Sequence, residues 1–256
     1  MTEVILSILL FILLLPFTLL VTVGLIANFT SEPYKVIDNS DLPESEKAKA
    51  VECLLQVRRK GLSGLLYDAT APYVMLLVLP FVKRSATTLP KLFTKWDNEV
   101  SINGDGWGKK LPDGTWVTIR EPGDPDCIPY DHPDYEGDAY YCKGHNPKSF
   151  IARYVWLGWR NRASKLAYMQ GEVITAEDKL NVKTYGNPEV DNGKDGWLIR
   201  EVKGLYEVYQ NTTGNSFIKR TRYGYKIGNA IRYGADKAMI ATVGVSYKKN
   251  KNKRLE

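Results

Sequence analysis

Four residues with metal-site chemistry stand close together in the chain: Cys127, His132, Cys142 and His145. They include two of the three cysteines and both histidines. Thiolate sulfur and imidazole nitrogen in a tetrahedral array are what Zn²⁺ prefers. The spacing matches no common zinc module, and acids in the same loop could supply carboxylates. Three readings stay open: free thiols with surface histidines, a structural zinc, or a Cys127–Cys142 disulfide. The first, with no cofactor, is the expectation. The disulfide would require an oxidising compartment.

Ser101, Asn103, Asp105 and Gly106 echo the first half of a calcium loop, but position twelve is Pro112 where a glutamate is needed. Turn chemistry accounts for them better. The chain has no phosphate-binding Gly-Lys loop, no HExxH, no GxSxG and no dinucleotide fingerprint. With histidine confined to one loop, a histidine acid–base site could be built only there. Asp124 and Asp126 stand in a loop that should be exposed, where carboxylates stay ordinary solvated acids. A non-enzymatic protein is expected.

The other constellation is basic and aromatic. Ser149 to Met169 reads as a helix carrying Arg153, Trp156, Trp159, Arg160 and Arg162, with no acid between Ala139 and Gly171. The stretch before it, Glu121 to Asp138, holds seven acids and four prolines and no Lys or Arg. Such arginines could meet phosphates. Neutralisation inside the protein, or a membrane-facing role, is favoured over nucleic acid, which is not an expected partner.

What must position these groups begins with a membrane anchor. Val4 to Ala27 carries no charge and is dominated by Leu, Ile, Val and Phe, and about 20 helical residues cross a bilayer core. It lacks the basic start and the small-residue cleavage site of a signal peptide, so a retained transmembrane helix is expected. A second apolar stretch, Leu62 to Val82, is interrupted by Asp68 and Pro72. It reads as a span carrying a costly acid, or as a re-entrant or interfacial segment. From Lys83 onward the chain has 29 Lys and Arg against 21 Asp and Glu, a net +8, which places that part in the cytosol by the positive-inside rule. Arg58-Arg59-Lys60 favours one true span, since a hairpin would put those charges outside.

Between the apolar stretches, Asp41-Leu42-Pro43-Glu44 signals a helix start. Val51, Leu54, Leu55 and Arg58 share a face, and Gly61 is a natural stop. Near Thr88 a further amphipathic helix is expected. Leu89, Leu92, Phe93 and Trp96 fall on one side and Lys91 and Lys95 on the other, a pattern that suits the headgroup layer or packing on the soluble domain.

Turn signals surround an alternating run from Thr115 to Glu121. Strand character returns in the last third, over Trp197 to Lys203, Leu205 to Gln210, Ser216 to Ile227 and Met239 to Lys248. Short strands with tight connections imply an antiparallel meander. In the third strand Phe217, Tyr223, Tyr225 and Ile227 would share one face, and Arg220, Arg222 and Lys226 the other. The fold class expected is an α+β membrane protein: a membrane-anchoring region over residues 1–86, a cytosolic α+β domain with amphipathic helices and a C-terminal antiparallel meander over 87–247, and a basic tail over 248–256.

Three stretches carry a resemblance: Leu89 to Phe93 with Asp97-Asn98 and Asn103 to Trp107, then Trp156 to Asn161, then Arg222 to Ile227. In this order they resemble a family of uncharacterised membrane proteins of tailed bacteriophages. The departures are Trp96 and Arg162, where that pattern has proline, and the Cys/His loop, which is foreign to it. The resemblance implies a phage gene and a place in the host inner membrane, and supplies no catalytic residues. The expected partners are therefore membrane lipids and a host or phage protein.

Overall fold

The computed structural model describes residues 2–104, 107–110, 116–119, 148–214, 216–232 and 234–249. The Cys/His loop and the acidic stretch before it lie outside the described residues. The chain divides into two compact units, one joining Met1–Leu65 to Ala167–Glu256 and the other formed by Leu66–Leu166.

The first helix, α1 (Thr2–Phe29), has no charge after Glu3. A short helix, α2 (Glu32–Asp38), follows with Pro33 in its first turn. Then comes α3 (Glu44–Val78), which begins where Pro43 predicts, its carbonyl accepting from the Glu46 and Lys47 amides. It does not stop at Gly61, so the expected short helix and the second apolar stretch are one continuous element. The reason for the glycine is close packing. A Cβ at Gly61 would stand 1.7 Å from Thr242 Cγ2 and 2.8 Å from Asn28 Oδ1. The inward face of α3 also differs from the expected one. Ala50, Cys53, Leu54 and Val57 are buried, whereas Leu55 is exposed.

In the unit of residues 66–166, β1 (Trp107–Lys110) and β2 (Trp116–Ile119) form an antiparallel pair, Trp107 opposite Ile119. The helix expected over Ser149 to Met169 is broken into three. They are α4 (Phe150–Val155), a π-helical segment (Trp156–Arg160) and α5 (Ser164–Met169), the last preceded by Ala163 at φ 47°. The core of this unit gathers Met75, Val78, Leu79, Leu89, Ile102, Ala152, Trp156 and Leu157.

The remaining elements build the sheet unit. A two-residue strand, β3 (Glu172–Val173), is followed by α6 (Ala176–Leu180), closed by a reciprocal capping box of Thr175 and Asp178. The sheet strands β4 (Lys183–Gly186), β5 (Gly196–Val202), β6 (Leu205–Thr213) and β7 (Phe217–Tyr225) come next. Last are α7 (Ile227–Arg232), β8 (Lys237–Ala238) and β9 (Ile240–Lys249). The order β4-β5-β6-β7-β9 is antiparallel throughout, and β3 pairs with β8 separately. The protein is thus α+β with an antiparallel sheet, as the strand pattern predicts. Lys203 and Gly204, both at positive φ, make the two-residue turn between β5 and β6.

One sheet face carries Ile199, Tyr206, Val208 and Tyr223, which pack with Val36, Ile37, Leu54 and Val57 into the main core. The expected facing of Tyr223 and Tyr225 inward holds, but Phe217 is exposed and Ile227 has already entered α7. The other face joins a small apolar cluster of Val190, Leu198 and Tyr209 to a buried charged group. Glu207, fully buried, accepts from Arg200 Nη1 at 2.9 Å and from the Gly228 amide at 2.8 Å. Arg222 Nε stands 3.0 Å from its second oxygen, and Arg200 also pairs with Asp191.

Candidate functional site

A dense polar network lies in the unit of residues 66–166, around the segment that links α3 to β1. This segment should be irregular, because Pro90, Asp97-Asn98 and Asn103-Gly104 all favour turns over regular structure. Its order comes from side chains bonding to backbone. Asp97 Oδ2 accepts from the Leu89 amide at 3.0 Å, and Oδ1 from the Asn98 amide at 2.8 Å. Asn98 Oδ1 accepts from the Val100 and Ser101 amides, and its Nδ2 donates to Ser164 Oγ at 3.1 Å. Burial raises the Asp97 carboxyl above the ordinary carboxylate range, against the opposing pull of these amides.

Arg153 is the centre of the arrangement. It is 3% exposed, and its guanidinium donates to three backbone carbonyls: Lys83 at 3.1 Å, Arg84 at 2.7 Å and Ala86 at 3.0 Å. Nε donates to Asn103 Oδ1 at 2.9 Å, while Asn103 Nδ2 reaches the Ala86 carbonyl at 3.3 Å. Among the described residues no carboxylate pairs with Arg153. Burial, reinforced by Arg84, lowers its pKa from the usual arginine value. The planar fork suits carbonyls diverging from one loop, which a point-charged ammonium cannot match. The cage holds the basic pair Lys83-Arg84 at a fixed place with its side chains turned out.

The residues expected at a membrane interface separate into two sets. Lys91 to Trp96 is a 3₁₀ helix, not an α-helix. At three residues per turn Phe93 and Trp96 align, and Leu92 rotates away from them. Leu89, which precedes this turn, is buried, and Phe93 packs against the core. Trp96 Nε1 donates to Thr70 Oγ1 at 3.0 Å, and its ring meets Tyr67 edge-on at 4.9 Å. Lys95 Nζ donates to the Tyr67 hydroxyl at 3.0 Å. Leu92, 82% exposed, and both lysines, Lys91 and Lys95, are exposed. They share this exposure with Leu66, Leu77, Phe81 and Ile151, apolar side chains that the interface pattern did not include.

Of the basic aromatic residues Arg153 and Trp156 are buried, Arg162 is half-buried, and Trp159 and Arg160 are exposed. Besides Arg153, Arg162 pairs with Asp68 and donates to the Trp159 carbonyl. Arg160 stands 5.8 Å from the Trp156 ring centre. Trp156 is buried with its Nε1 donating to the Ser101 carbonyl at 3.2 Å, whereas Trp159 is exposed. Within the π-helical segment a Cβ at Gly158 would lie 3.3 Å from Pro72 Cα, so the two backbones approach closely there. Sequence reasoning missed Tyr67 and Thr70, whose partners are distant in the chain. The Asp97-Asn98 and Asn103 motif was the visible signal for the cage.

No three His, Cys, Asp or Glu residues come together as a metal site among the described residues. The proposed ligands Cys127, His132, Cys142 and His145 lie outside them. The remaining cysteine, Cys53, is a buried free thiol, raised by burial to about 11. The sheet unit has a cleft of about 260 Å³ beside α2, lined by Glu32, Lys35, Val36, Asn39, Trp197, Gln210 and Thr212. Its one acid, Glu32, is held by Lys219 at 2.6 Å.

A family model matches residues 61–249, well over half of the chain, from within α3 to the last residue of β9. The chain belongs to the family of unknown function DUF7338. The DUF7338 match takes in the whole Arg153 cage and all five strands of the sheet. It leaves out α1, α2 and the first turns of α3. No curated protein and no solved structure matches the chain.

Proposed function

We propose that this is a non-enzymatic protein of phage origin, anchored in the host inner membrane by α1 and presenting its sheet to a host or phage protein in the cytosol. The observation that carries the anchor is the surface of α1. Leu14, Leu15, Leu19, Val23, Leu25, Ile26 and Phe29 are exposed along one broad side of a helix without a charged residue after Glu3. A helix apolar all round needs a nonaqueous surrounding. Two helical stretches, Leu14–Asp38 and Glu44–Phe81, are long and apolar enough to cross a membrane, with 6% and 33% of their apolar windows buried. The low burial of the first suits a single span. The second, with Asp68 paired and Met75, Val78 and Leu79 in a core, suits a segment that lies at the membrane surface, with Leu77, Phe81 and Leu92 facing acyl chains and Lys83, Arg84 and Lys91 facing headgroups.

The inward commitment of Arg153 and Arg162 supports a protein partner over nucleic acid, because those charges are already used. Membrane fractionation tests the anchor. The full chain should resist carbonate and high-salt washing, and a version lacking α1 alone should come off. Release of the full chain would overturn the reading. Orientation is tested by an impermeant thiol reagent on intact spheroplasts, where labelling of Cys127 or Cys142 would contradict a cytosolic sheet.

A further inference from the structure

The cleft beside α2 has walls of two kinds. Lys35, Val36 and Asn39 line it from α2, and Trp197, Gln210 and Thr212 line it from β5 and β6. Trp197 packs tightly on Gly186, where a Cβ would stand 2.6 Å from its Cε3 and Cζ3. The acid on the helix wall, Glu32, is already paired with Lys219. Among the described residues the side chains of Lys35, Asn39, Trp197 and Gln210 have no hydrogen bond or ion pair. Asn39 and Thr212 are exposed, so the cleft opens to solvent. Its floor continues across the sheet. Trp197 stands opposite Gln210, Gln210 opposite Thr221 and Thr221 opposite Val245; in the next row Thr212 stands opposite Lys219 and Lys219 opposite Tyr247. Opposite residues share a face, so the face that floors the cleft runs on to Val245, Tyr247 and Phe217, which are 44%, 67% and 55% exposed. β9 ends in Lys248 and Lys249, and Lys251, Lys253 and Arg254 follow in the chain.

We propose that this face is the docking site for an extended acidic segment of a partner protein, with a carboxylate on Lys35 and apolar side chains on Trp197, Val245 and Tyr247. The inference rests on the reading of the sheet as the surface offered to a partner in the cytosol, and names where that partner binds. At about 260 Å³ the cleft falls below the roughly 300–1,000 Å³ that enclose a small-molecule ligand, and its open side would leave such a ligand in water. A partner chain also covers the exposed apolar residues beside it. The Asn39 and Gln210 amides match the N–H and C=O groups of a peptide. Charge complementarity makes the segment acidic: Glu32 is neutralised, Lys35 is not, and the lysines at the end of β9 add the same sign.

The test uses the full chain in neutral detergent, labelled with fluorotryptophan, and follows the fluorine signal of Trp197, assigned as the one missing from Trp197→Phe. The probe is the acetylated, amidated peptide Ser-Leu-Glu-Leu-Ser. Five extended residues reach about 17 Å, enough for the three strand spacings, about 14 Å, from Trp197 to Val245. Millimolar peptide should shift the signal, and the glutamine counterpart Ser-Leu-Gln-Leu-Ser should bind about fivefold more weakly. Lys35→Gln should abolish that difference and Lys35→Glu should reverse it, while Arg59→Gln, at an exposed cation on α3, should leave it unchanged. No shift, equal binding of the two peptides by the wild type, or a difference that survives in Lys35→Gln overturns the proposal. So does a shift produced by phosphatidylglycerol bicelles and not by the peptide, which would make this face a membrane contact. The titration needs no membrane, so the two readings fail separately. A chain that resists carbonate washing and ignores the peptide loses this inference alone; one that binds the peptide and washes off loses only the anchor.

Discussion

Asp68 and Arg162 form a two-point ion pair, Nε to Oδ1 at 3.1 Å and Nη2 to Oδ2 at 3.2 Å. This pairing changes the meaning of the second apolar stretch. An aspartate among Leu, Tyr and Val residues reads as a charge the membrane would have to tolerate, yet here it has a guanidinium whose fork matches its two oxygens. Pro72 adds a local reason for polar company, since it lacks the amide that would bond the carbonyl of residue 68.

Removing one partner should therefore cost more than removing both. Arg162→Met is expected to destabilise the protein by about 1–2 kcal/mol, because it leaves a partly buried carboxylate unpaired. The double variant Asp68→Leu with Arg162→Met should recover most of that loss. Thermal unfolding of the wild type, Arg162→Met, Asp68→Leu and the double variant in one detergent measures the cycle. Additive losses would show that the pair is not coupled.

Arg153 should resist even conservative replacement. Lysine cannot serve the Lys83, Arg84 and Ala86 carbonyls and Asn103 Oδ1 together, so Arg153→Lys is expected to lose roughly 2–3 kcal/mol. The loss should be local first, seen as faster tryptic cleavage after Lys83 and Arg84, whose carbonyls the guanidinium now holds. Unchanged cleavage kinetics would remove Arg153 as the organiser of this loop.

Gly61→Ala should be among the most damaging small substitutions, because the new methyl would enter Thr242 Cγ2 and crowd Asn28 Oδ1. Helix propensity alone favours alanine by about 1 kcal/mol, so a net loss identifies packing as the winner. Thr242→Ser, which removes Cγ2, should restore part of the stability of Gly61→Ala. Denaturant unfolding followed by tryptophan fluorescence reads both, and a stabilised Gly61→Ala would refute the close contact.

Cys53 should be inert in the folded protein and should make stability fall in alkali. Its thiol is raised from 9.0 to about 11 by burial. A folded pKa above the unfolded one means the contribution is complete below about pH 9 and is lost as pH rises towards 11. Two units correspond to about 3 kcal/mol at most. Cys53→Ala should flatten stability over that window, and a thiol reagent at pH 8 should label Cys53 only after denaturation. Rapid labelling of the native protein would contradict its burial.

The sequence by itself determined the features that depend on local pattern. The uncharged run of α1, the start of α3 after Pro43, the strands from Trp197 onward and their antiparallel order were legible, because periodicity, turn chemistry and apolar length act over a few neighbouring residues. The Asp97-Asn98 motif was visible for the same reason, since those side chains bond amides close by. Tertiary structure decided what depends on distant partners. Gly61 reads as a helix stop until Thr242 is placed against it, and Asp68 reads as an isolated acid until Arg162 reaches it. Leu89 and Trp96 belong to an interface stripe until a 3₁₀ turn and Tyr67 draw Trp96 inward. Arg153 reads as a charge neutralised within the protein or facing a membrane, and three backbone carbonyls distant in the chain are what hold it. Each reversal has one physical origin: a residue's pattern fixes its conformational options, and the group it meets across the fold selects among them.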